Sequence, residues 1–315
     1  MKIGIVGCGA VGGACALSVV TRGSARELVL LDLARKRARA VATDLKYDAP
    51  LSPRIDVRDG DYADLAGAAL VMITAGVNEK TGGATDRNDA QGRLRLLYRN
   101  ARIYEDVVPK IVAAAPEAVI LVVTDPPEPL TDVARRLAGH DRVIGSGTFL
   151  DSLRFRVHLA ERLGFSPDSV DAHVVGEHGK SAVFLWSAVK VGAVPVADLA
   201  AQRGLPFGEL RRGIEQAVRD ANINIIEGNE ASRFGIGVVA ARIAEIVLRD
   251  ERAVIPIGSH NAGYGVALSL PSVVGRRGVA QILEPAMSEE ERQALERSVE
   301  MLRQAEGQTA RDAAE

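Results

Sequence analysis

The strongest constraint on what this chain can fold into lies near its start. An uncharged apolar run, Ile3 to Val6, feeds directly into Gly7-Cys8-Gly9-Ala10-Val11-Gly12 and a helical pattern, and a second apolar run ends at Asp32. A G-x-G-x-x-G loop between a strand and a helix turns tightly and lets backbone N–H groups approach a pyrophosphate at the helix N-terminus. Asp32 stands 20 residues past Gly12, where a carboxylate accepts hydrogen bonds from adenine ribose hydroxyls. Without the strand and Asp32, the glycines read equally well as a helix cap or close strand packing. Together they predict a dinucleotide site built from Gly7, Gly9, Ala10, Val11, Gly12 and Asp32. The charge of Asp32 opposes a 2′-phosphate, so NAD is the expected cofactor. The basic trio Arg35, Lys36 and Arg37 could hold such a phosphate or could be a solvated helix face.

Fully apolar runs recur at Leu28–Leu31, Leu70–Thr74, Val119–Val123 and Val143–Gly145, separated by longer helical patterns. Their lack of in/out alternation predicts a parallel sheet covered on both faces, a doubly wound α/β architecture of Rossmann type. After about Ser146 the texture changes. A helix over Asp151–Leu163 is followed by β-patterned segments at Ala172–Val175 and Val183–Val196, with a turn at Gly192–Pro195. Stripes of Ile214, Ala217, Val218, Ala221 and Ile225, and of Ile236, Val239, Ala240, Ile243 and Val247, predict two amphipathic helices. Two β-runs, Ala253–Ile257 and Gly265–Leu270, precede a last helix opened by a Ser288/Glu291 capping box, with fraying past about Gly307. At 315 residues the chain exceeds what one core usually organises. The expected division is a dinucleotide-binding domain over 1–146 and an α+β catalytic domain over 147–315.

A hydrophobic content of 47%, a charged content of 25% and a net charge of −2 provide no basic patch for nucleic acid and no electrostatic draw to a membrane. The uncharged stretch Ile3–Val20 follows Lys2 as in a signal sequence, but Gly4, Gly7, Gly9, Gly12 and Gly13 break it as an apolar helix. Cys8 and Cys15 fit neither a zinc knuckle nor a C-x-x-C pair, so the expected setting is reducing and cytoplasmic, with no metal.

The chemical signal is the pairing of Asp151-Ser152-Leu153-Arg154 with Gly176-Glu177-His178-Gly179. Reducing a 2-oxo acid needs a proton for the carbonyl oxygen, a hydride, and a hold on the carboxylate. His178 would supply the proton, with its proton affinity raised by a buried Asp151. Arg154 would grip the carboxylate through two parallel bonds. The plainer reading of Asp151 and Arg154 is an i,i+3 surface ion pair worth about 0.2–0.5 kcal/mol. His140, His158, His173 and His260 are read as structural.

These motifs, with Thr74-Ala75-Gly76, Arg93 to Asn100 and Ser146 to Arg156, resemble the lactate and malate dehydrogenase family from end to end. Gly145-Ser146-Gly147-Thr148 and Leu185-Trp186-Ser187 are closer in wording to the lactate branch. The resemblance implies an NAD-dependent L-2-hydroxyacid dehydrogenase, with L-lactate and pyruvate the expected pair and a homodimer or homotetramer the expected assembly. It further implies that Arg93 polarises the substrate carbonyl from a mobile loop, that Ser232 lines the pocket, and that Thr74, Ala75, Gly76 and Asp125 attend the cofactor.

Two positions depart from the pattern. Glu79 stands where lactate enzymes place Gln and malate enzymes Arg; its charge would repel a second substrate carboxylate and disfavours malate. The loop after it is longer than the pattern, so Arg87 or Lys80 could face the pocket instead. Asp125 replaces an Asn, and an ionised carboxylate can only accept. Either it is protonated, or the substrate offers a donor. Asp171 stands where sugar-phosphate-activated enzymes carry His, so no activation by fructose 1,6-bisphosphate is expected. The competing readings are a dehydrogenase of malate or another polar 2-oxo acid and, from another class, a catalytically silent NAD-binding protein.

Overall fold

Successive residues of a strand point to opposite faces, and here both faces are covered, which is why the central strands are apolar throughout. In the computed structural model, Ile3, Ile5, Leu28, Leu30, Leu70 and Met72 join one apolar core. Their neighbours Val6, Val29, Leu31, Val71 and Ile73 join a second core on the other side of the sheet. The structure describes all residues except 48–50, 52, 79–81, 83–91 and 313–315, and the backbone alone at 92–94 and 308–312.

The first half runs β1 (Lys2–Val6), α1 (Ala10–Arg22), β2 (Glu27–Leu31), α2 (Arg35–Lys46), β3 (Asp56–Asp59), β4 (Ala68–Ile73), α3 (Gly92–Ala114), β5 (Val119–Val122), α4 (Pro127–Ala138) and β6 (Val143–Gly145). These six strands are parallel, in the order β3-β2-β1-β4-β5-β6. The predicted doubly wound sheet is therefore present. β3 carried no apolar run: only Val57 of its four residues is buried, because it closes an edge of the sheet.

The second half contains α5 (Phe149–Leu163), β7 (Val170–Asp171), β8 (Val174–Val175), β9 (Val183–Phe184), β10 (Lys190–Val191), β11 (Val194–Pro195), α6 (Val196–Gln202), α7 (Phe207–Asn229), α8 (Phe234–Arg249), β12 (Ala253–Asn261), β13 (Val266–Gly275), β14 (Gly278–Ile282) and α9 (Glu289–Asp312). The β-patterned segment Val183–Val196 turns at Gly192–Ala193, within the expected turn, and is further broken into two-residue strands by a 3₁₀ turn at Trp186–Ala188. Phe184 and Trp186 turn inward onto Phe155, at ring separations of 5.2 and 4.6 Å, and that packing interrupts the extended chain.

The halves interlock. β12 pairs with β6 and carries β13 and β14 onto the same sheet, giving nine strands. α8 packs beside α1, so its predicted stripe of Val239, Ala240, Ile243 and Val247 completes the first core. α9 opens with the predicted capping box, in which Ser288 N donates to Glu291 Oε2 at 2.8 Å and Glu291 N to Ser288 Oγ at 3.3 Å. Its backbone stays helical past Gly307, to Asp312.

Candidate active site

The strand order reverses between β1 and β4, so the loops leaving their carboxyl ends diverge and open a crevice. It holds about 190 Å³ and is lined on one side by Gly9, Ala10 and Val11 after β1 and by Thr74 and Gly76 after β4. Gly7 has φ +102°, and a Cβ there would lie 2.5 Å from Ala75 N; a Cβ at Gly12 would overlap the Gly7 carbonyl. Both glycines are needed for the turn itself. Gly9 has open space where its Cβ would be, and it precedes α1 without a side-chain cap. First-turn N–H groups are thus left facing the crevice, and this cradle fits a dinucleotide pyrophosphate.

Asp32 follows β2 and is tied to the glycine loop. Its Oδ2 accepts from Cys8 N at 2.8 Å and its Oδ1 from Ala34 N at 2.9 Å. Arg37 lies 3.5 Å from Asp32, while Arg35 pairs with Asp59 at 3.2 Å and Asp61 at 2.7 Å. Two of the three basic residues considered for a 2′-phosphate are thus engaged with carboxylates. Thr74 Oγ1 donates to the Gly7 carbonyl at 2.6 Å and Thr124 Oγ1 to the Ala75 carbonyl at 2.9 Å, locking the loops after β1, β4 and β5 together.

The opposite wall comes from the second half. Asp151 and Arg154 lie one turn apart on α5, and His178 reaches them from the loop after β8. His178 Nδ1 is 2.5 Å from Asp151 Oδ2, and Arg154 Nη1 donates to Asp151 Oδ1 at 3.1 Å. The three side chains are 20%, 7% and 12% exposed for His178, Asp151 and Arg154, and both His178 and Arg154 line the crevice. The Asp151–Arg154 pair thus lies in the wall of the crevice, with little exposure to solvent. Burial works against charge on Asp151, but the imidazole and the Arg154 guanidinium outweigh it and hold the carboxyl below its ordinary range. An ionised Asp151 can only accept, which puts the ring proton on Nδ1 and leaves Nε2 as the atom that gains or loses one.

Asp125 and Ser232 also line the crevice. Asp125 Oδ1 is 4.0 Å from His178 Nε2, and its carbonyl accepts from Asn100 Nδ2 at 2.8 Å. Glu79, Lys80 and Arg87 fall outside the described residues, and Arg93 is described only as backbone at the start of α3. Sequence reasoning missed Asn78 and Asn222, which stand in the same wall. Asn222 had a signal, since it sits four residues past buried Val218 where the helical stripe calls for an apolar side chain. Asn100 had a similar one: fully buried in α3, it also accepts from Val77 N at 2.7 Å and so braces two site loops. At Asp171, the carboxylate lies 2.9 Å from His173 Nε2 and 3.8 Å from Arg156.

Among the described residues no helix is long and apolar enough to cross a membrane. Residues 1–145 match the family model for the lactate/malate dehydrogenase NAD binding domain, and residues 148–311 that for the lactate/malate dehydrogenase alpha/beta C-terminal domain. The chain is 47% identical over 312 residues to an L-lactate dehydrogenase of Thermus aquaticus, covering 96% of this chain and 97% of that one. It is 45% identical over 304 residues to an L-lactate dehydrogenase of Deinococcus radiodurans, with the same coverage. Among solved structures it is similar to a lactate dehydrogenase from a Medee basin deep-sea metagenome library (TM-score 0.91, 34% identity, 98% of each chain). It is also similar to a minor L-lactate dehydrogenase from Enterococcus mundtii (TM-score 0.90, 31% identity, 98% of each chain). With a glycine-loop cofactor cradle facing an Asp–His–Arg constellation, and both family models matched across nearly its whole length, the chain belongs to the lactate/malate dehydrogenase family of NAD-dependent oxidoreductases.

Proposed function

We propose that this protein interconverts L-lactate and pyruvate with NAD, and that His178, Asp151, Arg154 and Arg93 carry the chemistry. The observation behind this reading is the buried His178–Asp151–Arg154 cluster, which faces the glycine loop across one crevice. NAD would be held by Gly7 to Gly12, Asp32 and the Thr74–Gly76 loop, and would supply the hydride chemistry at the substrate C2. In oxidation the lactate hydroxyl gives its proton to His178 Nε2 while C2 loses the hydride, and Asp151 holds the resulting imidazolium in place. In reduction Nε2–H returns the proton to the carbonyl oxygen. Arg154 binds the substrate carboxylate as a fork, a geometry that Lys cannot copy. Arg93 polarises the carbonyl, and Ser232, Asp125 and Glu79 shape the substrate's surroundings.

Residues 1–146 serve as the cofactor unit and 147–315 as the substrate unit. We place the enzyme in the cytoplasm because both cysteines are free and buried, as suits a reducing compartment. A homodimer or homotetramer is favoured by Phe234 and Val238 on α8 and Leu17 on α1, which are 62%, 49% and 44% exposed and large for a solvent face. The test is NADH consumption with a panel of 2-oxo acids. A kcat/KM for pyruvate above that for oxaloacetate supports the reading, a preference for oxaloacetate reverses the role given to Glu79, and no consumption with any acid favours a silent binder.

A further inference from the structure

Glu128, in the first turn of α4, is 0% exposed and belongs to no step above. Ser269 Oγ donates to its Oε1 at 2.9 Å and accepts from Thr148 N at 3.1 Å. The backbone of Ser269 also exchanges two hydrogen bonds with Gly176, at 2.8 and 2.9 Å. One β13 serine thus joins Glu128 to the residue that precedes α5 and to the loop that carries His178. The carboxyl interacts electrostatically with His178, and its Oε2 is buried without a hydrogen-bond partner.

A carboxylate buried with an unpartnered oxygen is costly unless a positive charge lies close by; otherwise that oxygen takes a proton. We propose that Glu128 is a positioning residue for His178, whose buried charge favours the protonated imidazole and so sets the pH range over which Nε2 holds a proton. Among the described residues, other charged groups lie around the pair. Glu177, on the His178 loop, opposes ionisation of Glu128. Asp132, one turn along α4, is bonded to His260 at 2.7 Å and to Ala267 N. Asp151 and Arg154 on α5, and Asp125 ahead of α4, flank the imidazole. Burial pushes Glu128 up to about 7, against the pull of the imidazole, the His178 N–H and Ser269.

The proposal is tested by NMR titration of histidine-labelled protein, with the His178 signal among the five histidines identified by its loss in His178→Asn. Glu128→Gln keeps the shape and an acceptor for Ser269 while removing the charge. Its His178 midpoint should fall by about 0.5–1 pH unit, or three- to tenfold less imidazolium at a given pH. Ser269→Ala, which removes a bond that favours the ionised carboxyl, should move it the same way by less, and Glu128→Asp should restore most of the shift. The alkaline limb of kcat/KM for pyruvate should follow the same order. A folded Glu128→Gln with an unchanged His178 midpoint overturns the proposal, and if that variant does not fold, an unchanged midpoint in Ser269→Ala does so. Only the kinetic arm rests on His178 being the acid/base: turnover surviving in His178→Asn would remove that reading and leave the titration to be judged alone.

Discussion

Asp125 Oδ1 lies 4.0 Å from Nε2 of His178, so the imidazole has a carboxylate near each ring nitrogen, with Asp151 at 2.5 Å from Nδ1. On the proposed reading, a substrate oxygen approaches Nε2 on the side of this second carboxylate. Negative charge develops on that oxygen as hydride arrives, and a neutral amide donor in place of Asp125 would stabilise it. Asp125→Asn is expected to raise kcat/KM for pyruvate at pH 6 by about threefold to tenfold, the effect of roughly one modest hydrogen bond. Steady-state reduction assays check this, and a fall at pH 6 would count against the placement of Asp125 beside the reacting oxygen.

Arg154 has its Nη1 on Asp151 at 3.1 Å and lines the crevice. Lysine at this position would keep the charge but lose the fork. Arg154→Lys should raise the pyruvate KM about 100-fold, in line with loss of a bidentate charged contact of roughly 2–3 kcal/mol. NADH affinity, measured by fluorescence, should stay within about twofold, since the glycine loop is on the other wall.

Asp32 is committed to Cys8 N and Ala34 N, so its charge is held beside the glycine loop at the end of β2. The protein should use NADH over NADPH by about 100-fold or more in kcat/KM, from repulsion of the 2′-phosphate. Asp32→Ser, which keeps an acceptor for Cys8 N, should narrow that ratio to about tenfold. An unaltered ratio would place cofactor selection elsewhere.

Glu306 on α9 is the clearest source of pH-dependent stability. Its Oε1 is buried without a partner, and burial together with Asp132 pushes its carboxyl from 4.5 to about 8, with Arg136 opposing at 3.9 Å. A folded-state value above the unfolded one means that the native form binds the proton more tightly. The stabilisation is therefore complete below about 4.5 and is lost as pH rises through about 8. Tm should fall between pH 6 and 9, and Glu306→Gln should flatten that fall by about 1–3 °C, as calorimetry would show.

Most of the fold was legible because the central strands are buried on both faces, so that their apolar runs could not be mistaken for half-exposed ones. What escaped was what needs little apolar character, namely the edge strands β3 and β14, or what tertiary packing overrides, namely the region around Phe184 and Trp186. In the site, residues with unusual chemistry for their setting were readable: a glycine-flanked His178, and Asp151 with Arg154 at helical spacing. Asn78, Asn222 and Glu128 were not singled out, because an amide or acid in a helix or loop has many ordinary uses and its burial is decided by distant chain. Glu128 depends on Ser269, 141 residues away, and no local pattern announces that partner.

The central claim is that Nε2 of His178 carries the proton exchanged with the substrate. Single-turnover NADH oxidation by pyruvate, compared between the parent protein and His178→Asn with NADH binding verified by fluorescence, tests it most directly. The account predicts a rate lower by about 10⁴-fold, at the upper end for loss of a general acid, with cofactor affinity retained. A rate within about tenfold of the parent would contradict it.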